Sequence, residues 1–162
     1  IHGIRSQVRR TATRLNIEGK KLGLVVVDYL QLMASSANGR RDTDNSEIEA
    51  ISKGLKGLAK EFKIPVIALS QLNRKCEENG RDGRPRLSDL RSSGAVEQDA
   101  DLVAFIFREG MHNKPKVELP PEEHKELMSR TEFIIAKHRH GAIGTIKMRF
   151  NYNLTRFEES EV

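Results

Sequence analysis

Apolar residues recur along the chain with two different periods, and the switches between them lay out its elements. Ile4, Val8, Ala12 and Leu15 form a stripe at helical spacing, with Arg5, Arg9, Arg10 and Arg14 around the rest of the cylinder. This predicts a surface helix. Leu24 to Val27 is a continuous, mostly β-branched run that meets a single carboxylate, Asp28, and continues as YLQLM. Such a run predicts a strand buried on both faces that ends at a sheet edge. Residues 34–44 are small, polar and aperiodic, as in a loop beyond that edge. Ser46 with Glu49 is a capping-box signature, and Ile48, Ile51, Leu55, Leu58 and Phe62 then line one face of a long helix ending near Lys63. That helix reads as the crossover to a second buried parallel strand, Pro65 to Ser70.

A third apolar run, Leu102 to Phe107, comes after a polar, Gly-rich loop and a short turn capped by Ser88. Glu109 to Arg130 carries Pro115, Pro120 and Pro121 and a short helical pattern, EEHKELM, and reads as a solvent-side insertion. Thr131 to Lys137 and Thr145 to Phe150 are strand-like and flank the turn glycines Gly141 and Gly144, which predicts a hairpin; Phe157 marks a last short strand. The expected architecture is α/β: one domain over residues 1–162, a mainly parallel sheet flanked by helices, and a C-terminal β-hairpin.

Composition narrows the classes. With 162 residues, 37% hydrophobic and 31% charged, the chain buries one ordinary core and is too polar for a membrane protein. No apolar run approaches the ~18 residues of a membrane span, and IHGIRSQVRR lacks the apolar segment of a secretory signal, so the expected location is the cytoplasm. The single cysteine, Cys76, lies in a polar loop and has no partner for a disulfide, which fits a reducing compartment. A net charge of +5 permits a polyanionic partner without establishing one.

Chemistry is concentrated where apolar runs end. In open α/β sheets ligands sit outside the carboxyl ends of the strands, so Asp28 suits holding a metal ion or its water; a helix-capping Asp would look the same. Gln71, just past the second run, is an uncharged amide suited to sensing a phosphate or an attacking water, or to satisfying loop backbone. Arg91, Ser92, Ser93 and Gly94 combine a charge, small hydroxyls and a close-approaching backbone, as needed to grip a sugar-phosphate chain; a capped surface turn has similar composition. Lys137 and Arg139 stand two apart on the hairpin and would clamp a phosphoryl group if the strand extends that far. His138 and His140 lack the further ligands of a metal centre.

In order and wording, LVVVDYLQLM, VIALSQLNR, RPRLSDLRSSGAVEQDADLVAFIFRE and IIAKHRHGAIGTIKMRFNYNLTRFEE resemble the later motifs of the DnaB-type replicative DNA helicases, a hexameric branch of the RecA-like motor ATPases. The resemblance spans nearly the whole chain outside Glu109 to Arg130. It implies a partial RecA-like fold of the P-loop NTPase type. Asp28 then corresponds to the Walker B acid, holding Mg²⁺ through water beside ATP, and Gln71 to the sensor coupling the γ-phosphate to DNA. Arg91, Ser92, Ser93 and Gly94 fall on the loop lining the channel for single-stranded DNA. Arg139 resembles the arginine finger, with Lys137 its companion, both serving the neighbouring subunit of a homo-hexamer. Primase and a helicase loader are the further partners implied. Two departures stand out. His138 and His140 replace the family's usual Gln and Asn, and no G-x-x-x-x-G-K-[ST] occurs among the residues. The Walker A loop, the strand bearing the catalytic glutamate and the N-terminal domain precede Ile1 in the family, so these residues alone are expected to lack ATPase activity. The competing reading is a non-catalytic RecA-like module that binds nucleic acid or docks a partner.

Overall fold

A computed structural model describes residues 1–33, 45–73, 82–90, 93–112 and 118–160. Two compact units emerge: Ile1–Gln71 with Leu90–Ala100, and Leu72–Asp89 with Asp101–Val162.

The first unit is built on one amphipathic helix. Helix α1 (His2–Ile17) precedes strand β1 (Val25–Val27), and α2 (Asn45–Phe62) leads to β2 (Val66–Ala68). The predicted stripe of α2 delivers Ile48, Ile51 and Leu55 onto Val27 and Leu30, with Val25, Met33, Val66 and Val96 packed around them. Val96 comes from α3 (Ser93–Asp99), a helix where the sequence suggests a loop and a polar connection. The start of α2 differs in detail from a capping box. The helix begins at Asn45, and the Glu49 carboxylate pairs with Lys53 one turn on at 2.6 Å.

Helix α1 carries its stripe as expected, with Val8 buried. Two of its arginines are not simply solvated: Arg5 (2.8 Å) and Arg9 (2.7 Å) both pair with Glu61 of α2. A Cβ at Gly54 would lie 2.5 Å from the Ile1 side chain, so a larger residue there would push that side chain aside.

Strands β1 and β2 are parallel, in register Val25↔Val66, Val26↔Ile67 and Val27↔Ala68. Among the described residues α2 packs on one face of this ladder, so the expected burial on both faces is corrected for them. Val26 is 57% and Ile67 49% exposed, and Leu24 and Leu69 are exposed too.

The second unit is an antiparallel sheet in the order β3 (Leu102–Phe107), β4 (Arg130–His138), β5 (Gly144–Asn151), β6 (Arg156–Glu159). The hairpin and the last strand are as predicted. The third apolar run pairs with that hairpin instead of joining the parallel ladder, so the described parallel part has only two strands. Its burial alternates, with Val103, Phe105 and Phe107 inside and Leu102 and Ile106 exposed, as suits a one-sided antiparallel strand. Before it, the turn Leu87–Asp89 is fixed less by Ser88 than by the buried Asp89, whose carboxylate accepts the Arg86 N–H at 2.8 Å.

The stretch read as an insertion holds the expected helix over EEHKELM, α5 (Pro121–Ser129), and before it a further short one, α4 (Glu109–His112). They touch where a Cβ on Gly110 would come within 2.8 Å of the Leu127 carbonyl. Arg108 fastens this layer to the sheet. Its guanidinium lies over Phe150 (4.3 Å) and Tyr152 (4.9 Å) and donates to the Tyr152 hydroxyl, which donates to the Met128 carbonyl at 2.8 Å. None of the described helices is long and apolar enough to cross a membrane.

One-sided burial in the first unit can be tested by stability. Leu55→Ala should cost about 2–5 kcal/mol in urea unfolding of the chain, whereas Val26→Ala on the open face should cost under ~1 kcal/mol; equal costs would contradict it. The hydrogen bond from Arg9, helped by the nearby Arg5 charge, holds the Glu61 carboxyl below its ordinary value. The stabilisation is therefore present above the unfolded carboxylate value of about 4.3 and is lost as pH falls through the lower folded value. Melting curves should rank wild type above Glu61→Gln near neutral pH and converge in strong acid.

Candidate active site

Because β1 and β2 run parallel, both chains leave the sheet at the same edge. Leu69 ties the two exits together: its N–H donates to the Val27 carbonyl (2.9 Å) and its carbonyl accepts the Leu30 N–H (3.0 Å). Asp28 stands between those two bonds, after which comes a cis peptide to Tyr29, and its side chain is exposed. Leu30, 2% exposed, starts helical residues 30–33 and anchors the turn in the core.

Gln71 lies on the same edge, three residues past β2, and its side chain is exposed. Its backbone is gripped by Gln31, a residue not singled out from the sequence. Gln31 is 5% exposed. Its amide nitrogen donates to the Ser70 hydroxyl (3.1 Å) and the Gln71 carbonyl (3.2 Å), and its amide oxygen accepts the Gln71 N–H (3.3 Å). A lone amide in the apolar run YLQLM was the signal available in the sequence.

The donor set bears on which metal suits this edge. Among the described residues no cluster of three His, Cys, Asp or Glu side chains could form a protein cage. One exposed carboxylate does suit Mg²⁺, which keeps several waters and takes few carboxylates beside substrate phosphates.

Lys137 and Arg139 belong to the second unit. The ladder between β3 and β4 shifts between Val103 and Ala104, pairing Val103↔Lys137 but Ala104↔Ile135. Ala136 is thus an extra residue, and the bulge re-aims the side chains beyond it. It puts Lys137 on the face of Glu132 and Ile134, where strict alternation would have put Ala136. Strand β4 ends at His138, yet the Arg139 N–H still donates to the Asp101 carbonyl at 2.8 Å, so the pairing runs one residue further. The Arg139 guanidinium, with its side chain 44% exposed, stands 3.6 Å from the Asp101 carboxylate. The His138 ring lies over the turn, where a Cβ on Gly141 would meet it at 2.4 Å; His140 is exposed.

Of the four residues proposed to grip nucleic acid, Arg91 and Ser92 lie outside the described residues, as do Cys76 and the loop 34–44. Ser93 and Gly94 open α3, and Gly94 is exposed with open space around its Cα.

Helices on a short parallel ladder and a separate hairpin sheet are an α/β arrangement shared with RecA-like helicase ATPase domains, as two solved structures show. A DnaB-like replicative helicase, solved for its interactions with primase, matches at a TM-score of 0.77 and 39% identity, over 98% of this chain and 34% of that one. A second solved structure, of an ATPase domain, also matches at 0.77, with 40% identity over 98% of this chain and 50% of that one. The family model for the DnaB-like helicase C terminal domain matches residues 1–159, and the chain belongs to that family. The replicative DNA helicase DnaB of Buchnera aphidicola subsp. Baizongia pistaciae is 47% identical over 154 residues, covering 94% of this chain and 30% of the relative. The Geobacillus stearothermophilus DnaB is 42% identical over 164 residues, covering 97% and 34% respectively. This chain therefore spans about a third of the length of these relatives.

Proposed function

We propose that these residues form the later part of the motor domain of a cytoplasmic, ATP-dependent replicative DNA helicase, acting as a homo-hexameric ring on single-stranded DNA. The reading rests on one observation: in a chain of this family, Asp28 and Gln71 are brought to one sheet edge and share a hydrogen-bonded connection.

In this reading Asp28 orients Mg²⁺ through its water shell, and the ion, when bound, offsets charge on the ATP phosphates. Gln71 offers an uncharged amide to the γ-phosphate and needs no counter-charge to do so. Arg139, with Lys137, supplies positive charge to the ATP of the neighbouring subunit, where negative charge grows on the transferred phosphoryl group. Arg91, Ser92, Ser93 and Gly94 hold the DNA backbone. Primase and a helicase loader are the proposed further partners; the solved relative described with primase supports the first. The phosphate-cradling motif is not among these residues, so by themselves they should show no ATP turnover above background with Mg²⁺ present.

Arg139→Ala in the whole protein should lower ATP turnover by about 10³-fold or more while leaving nucleotide affinity intact; undiminished turnover removes the finger role. For the DNA loop, single-stranded DNA binding is measured across a salt series. Arg91→Ala should weaken binding and flatten the slope of log K against log salt by about 0.7, the share of one phosphate contact. An unaltered slope discards that contact.

A further inference from the structure

We infer that Gln31 is a positioning residue for Gln71, setting where the Gln71 side chain can reach and linking its movement to the Asp28 segment. The inference rests on the proposed sensor role of Gln71 and deepens it.

Strand β2 ends at Ala68, and the last backbone ladder bonds around it belong to Leu69. Beyond that point the chain is held by a side chain instead. The Gln31 amide offers one acceptor and two donors, and the acceptor and one donor engage the N–H and the carbonyl of a single residue, Gln71. The second donor contact, to Ser70 Oγ, steadies the residue before it. Only this amide orientation works, because the flipped one would set NH₂ against N–H and carbonyl against carbonyl. Gln31 is thus a side-chain stand-in for a neighbouring strand, one that extends the register of β2 by its last residue.

Its own position is equally constrained. Gln31 is almost fully buried and comes directly after Leu30, whose N–H is tied to Leu69 and whose side chain sits in the core. It lies three residues from Asp28 along the same turn. A shift of the Asp28 segment, as charge binds at the sheet edge, therefore carries the amide with it and moves the Gln71 backbone. An apolar residue at 31 would fill the space and lose that linkage.

The test uses the whole protein, with ATP turnover measured with and without single-stranded DNA for wild type, Gln31→Met, Gln71→Ala and the double variant. Gln31→Met keeps the side-chain length and removes every hydrogen bond. The expected result is an unchanged KM for ATP with DNA-stimulated kcat lowered about tenfold, within the usual range for coupling between two sites. Gln71→Ala should lower the DNA-stimulated kcat at least as far, and the double variant should be no worse than Gln71→Ala. If Gln71→Ala abolishes the stimulation and Gln31→Met keeps it, the positioning role is wrong while the sensor reading stands. If Gln71→Ala itself keeps the stimulation, the sensor reading falls and this inference with it. Should Gln31→Met not assemble, backbone hydrogen exchange of the wild-type protein decides. Protection of the Gln71 amide matching that of Leu69 supports the grip, and exchange at the rate of an unbonded amide overturns it.

Discussion

Leu69 donates to the residue before Asp28 and accepts from the second residue after it, so the chain turns from strand to helix while stitched to its neighbour on both sides of the turn. Without that pair of bonds, Asp28 would begin an ordinary loop, held level with the exit of β2 only through the Gln31 amide three residues on. The pair exists because the core puts it there. Val27 and Leu30, on either side of the turn, both press into the apolar face of α2, so burial fixes the two backbone groups that Leu69 meets. A parallel crossover keeps both exits on one edge. The edge is therefore a product of packing, and its chemistry is added afterwards by residues whose side chains the core does not need.

The second unit reaches a comparable result with different means. Its sheet is antiparallel throughout and is braced at one end by Arg108, whose guanidinium lies over two aromatic rings and whose hydrogen bond passes through Tyr152 to the Met128 carbonyl. Such stacking suits arginine, with its planar, weakly hydrated head, far better than lysine. At the other end the regular ladder is broken by one residue. The bulge at Ala136 costs a rung of that ladder and moves Lys137 onto a face it would not otherwise occupy. Beyond the bulge, backbone pairing with β3 continues as far as Arg139 and sets the course of the chain into the hairpin turn.

Much of this was legible in the sequence, for definite reasons. The stripes of α1 and α2 and the turn glycines of the hairpin are periodic signals that tertiary context did not override, and the placement of Asp28 and Gln71 came from the strand–helix–strand order alone. Three things were not legible. A continuous apolar run reads the same whether one or two faces are covered, so neither the exposure of Val26 and Ile67 nor the antiparallel pairing of Leu102–Phe107 had a signature. The bulge had none either, because Ala136 has no side-chain preference that marks an unpaired position. Helix α4 had no signature in so short a stretch, whereas α5 was read in the pattern EEHKELM, with Pro121 at the first turn of the helix, where the ring is tolerated. The grip of Gln31 lay in between: a polar residue inside YLQLM was visible, but its partner, forty residues on, was not.

Three of the residues proposed to handle phosphate share a physical design. Each has its main chain held by a neighbour and its side chain turned toward solvent: Asp28 between two bonds to Leu69, Gln71 within the Gln31 amide, Arg139 through its N–H to Asp101. The contrast is clearest at Arg139. Its backbone bond is short, at 2.8 Å, while its guanidinium meets the Asp101 carboxylate only at 3.6 Å, with both side chains about half exposed. Taken by itself, an ion pair of that kind is worth roughly 0–1 kcal/mol, enough to bias a direction. Fixing the main chain at these positions lowers the ordering entropy of the engaged state.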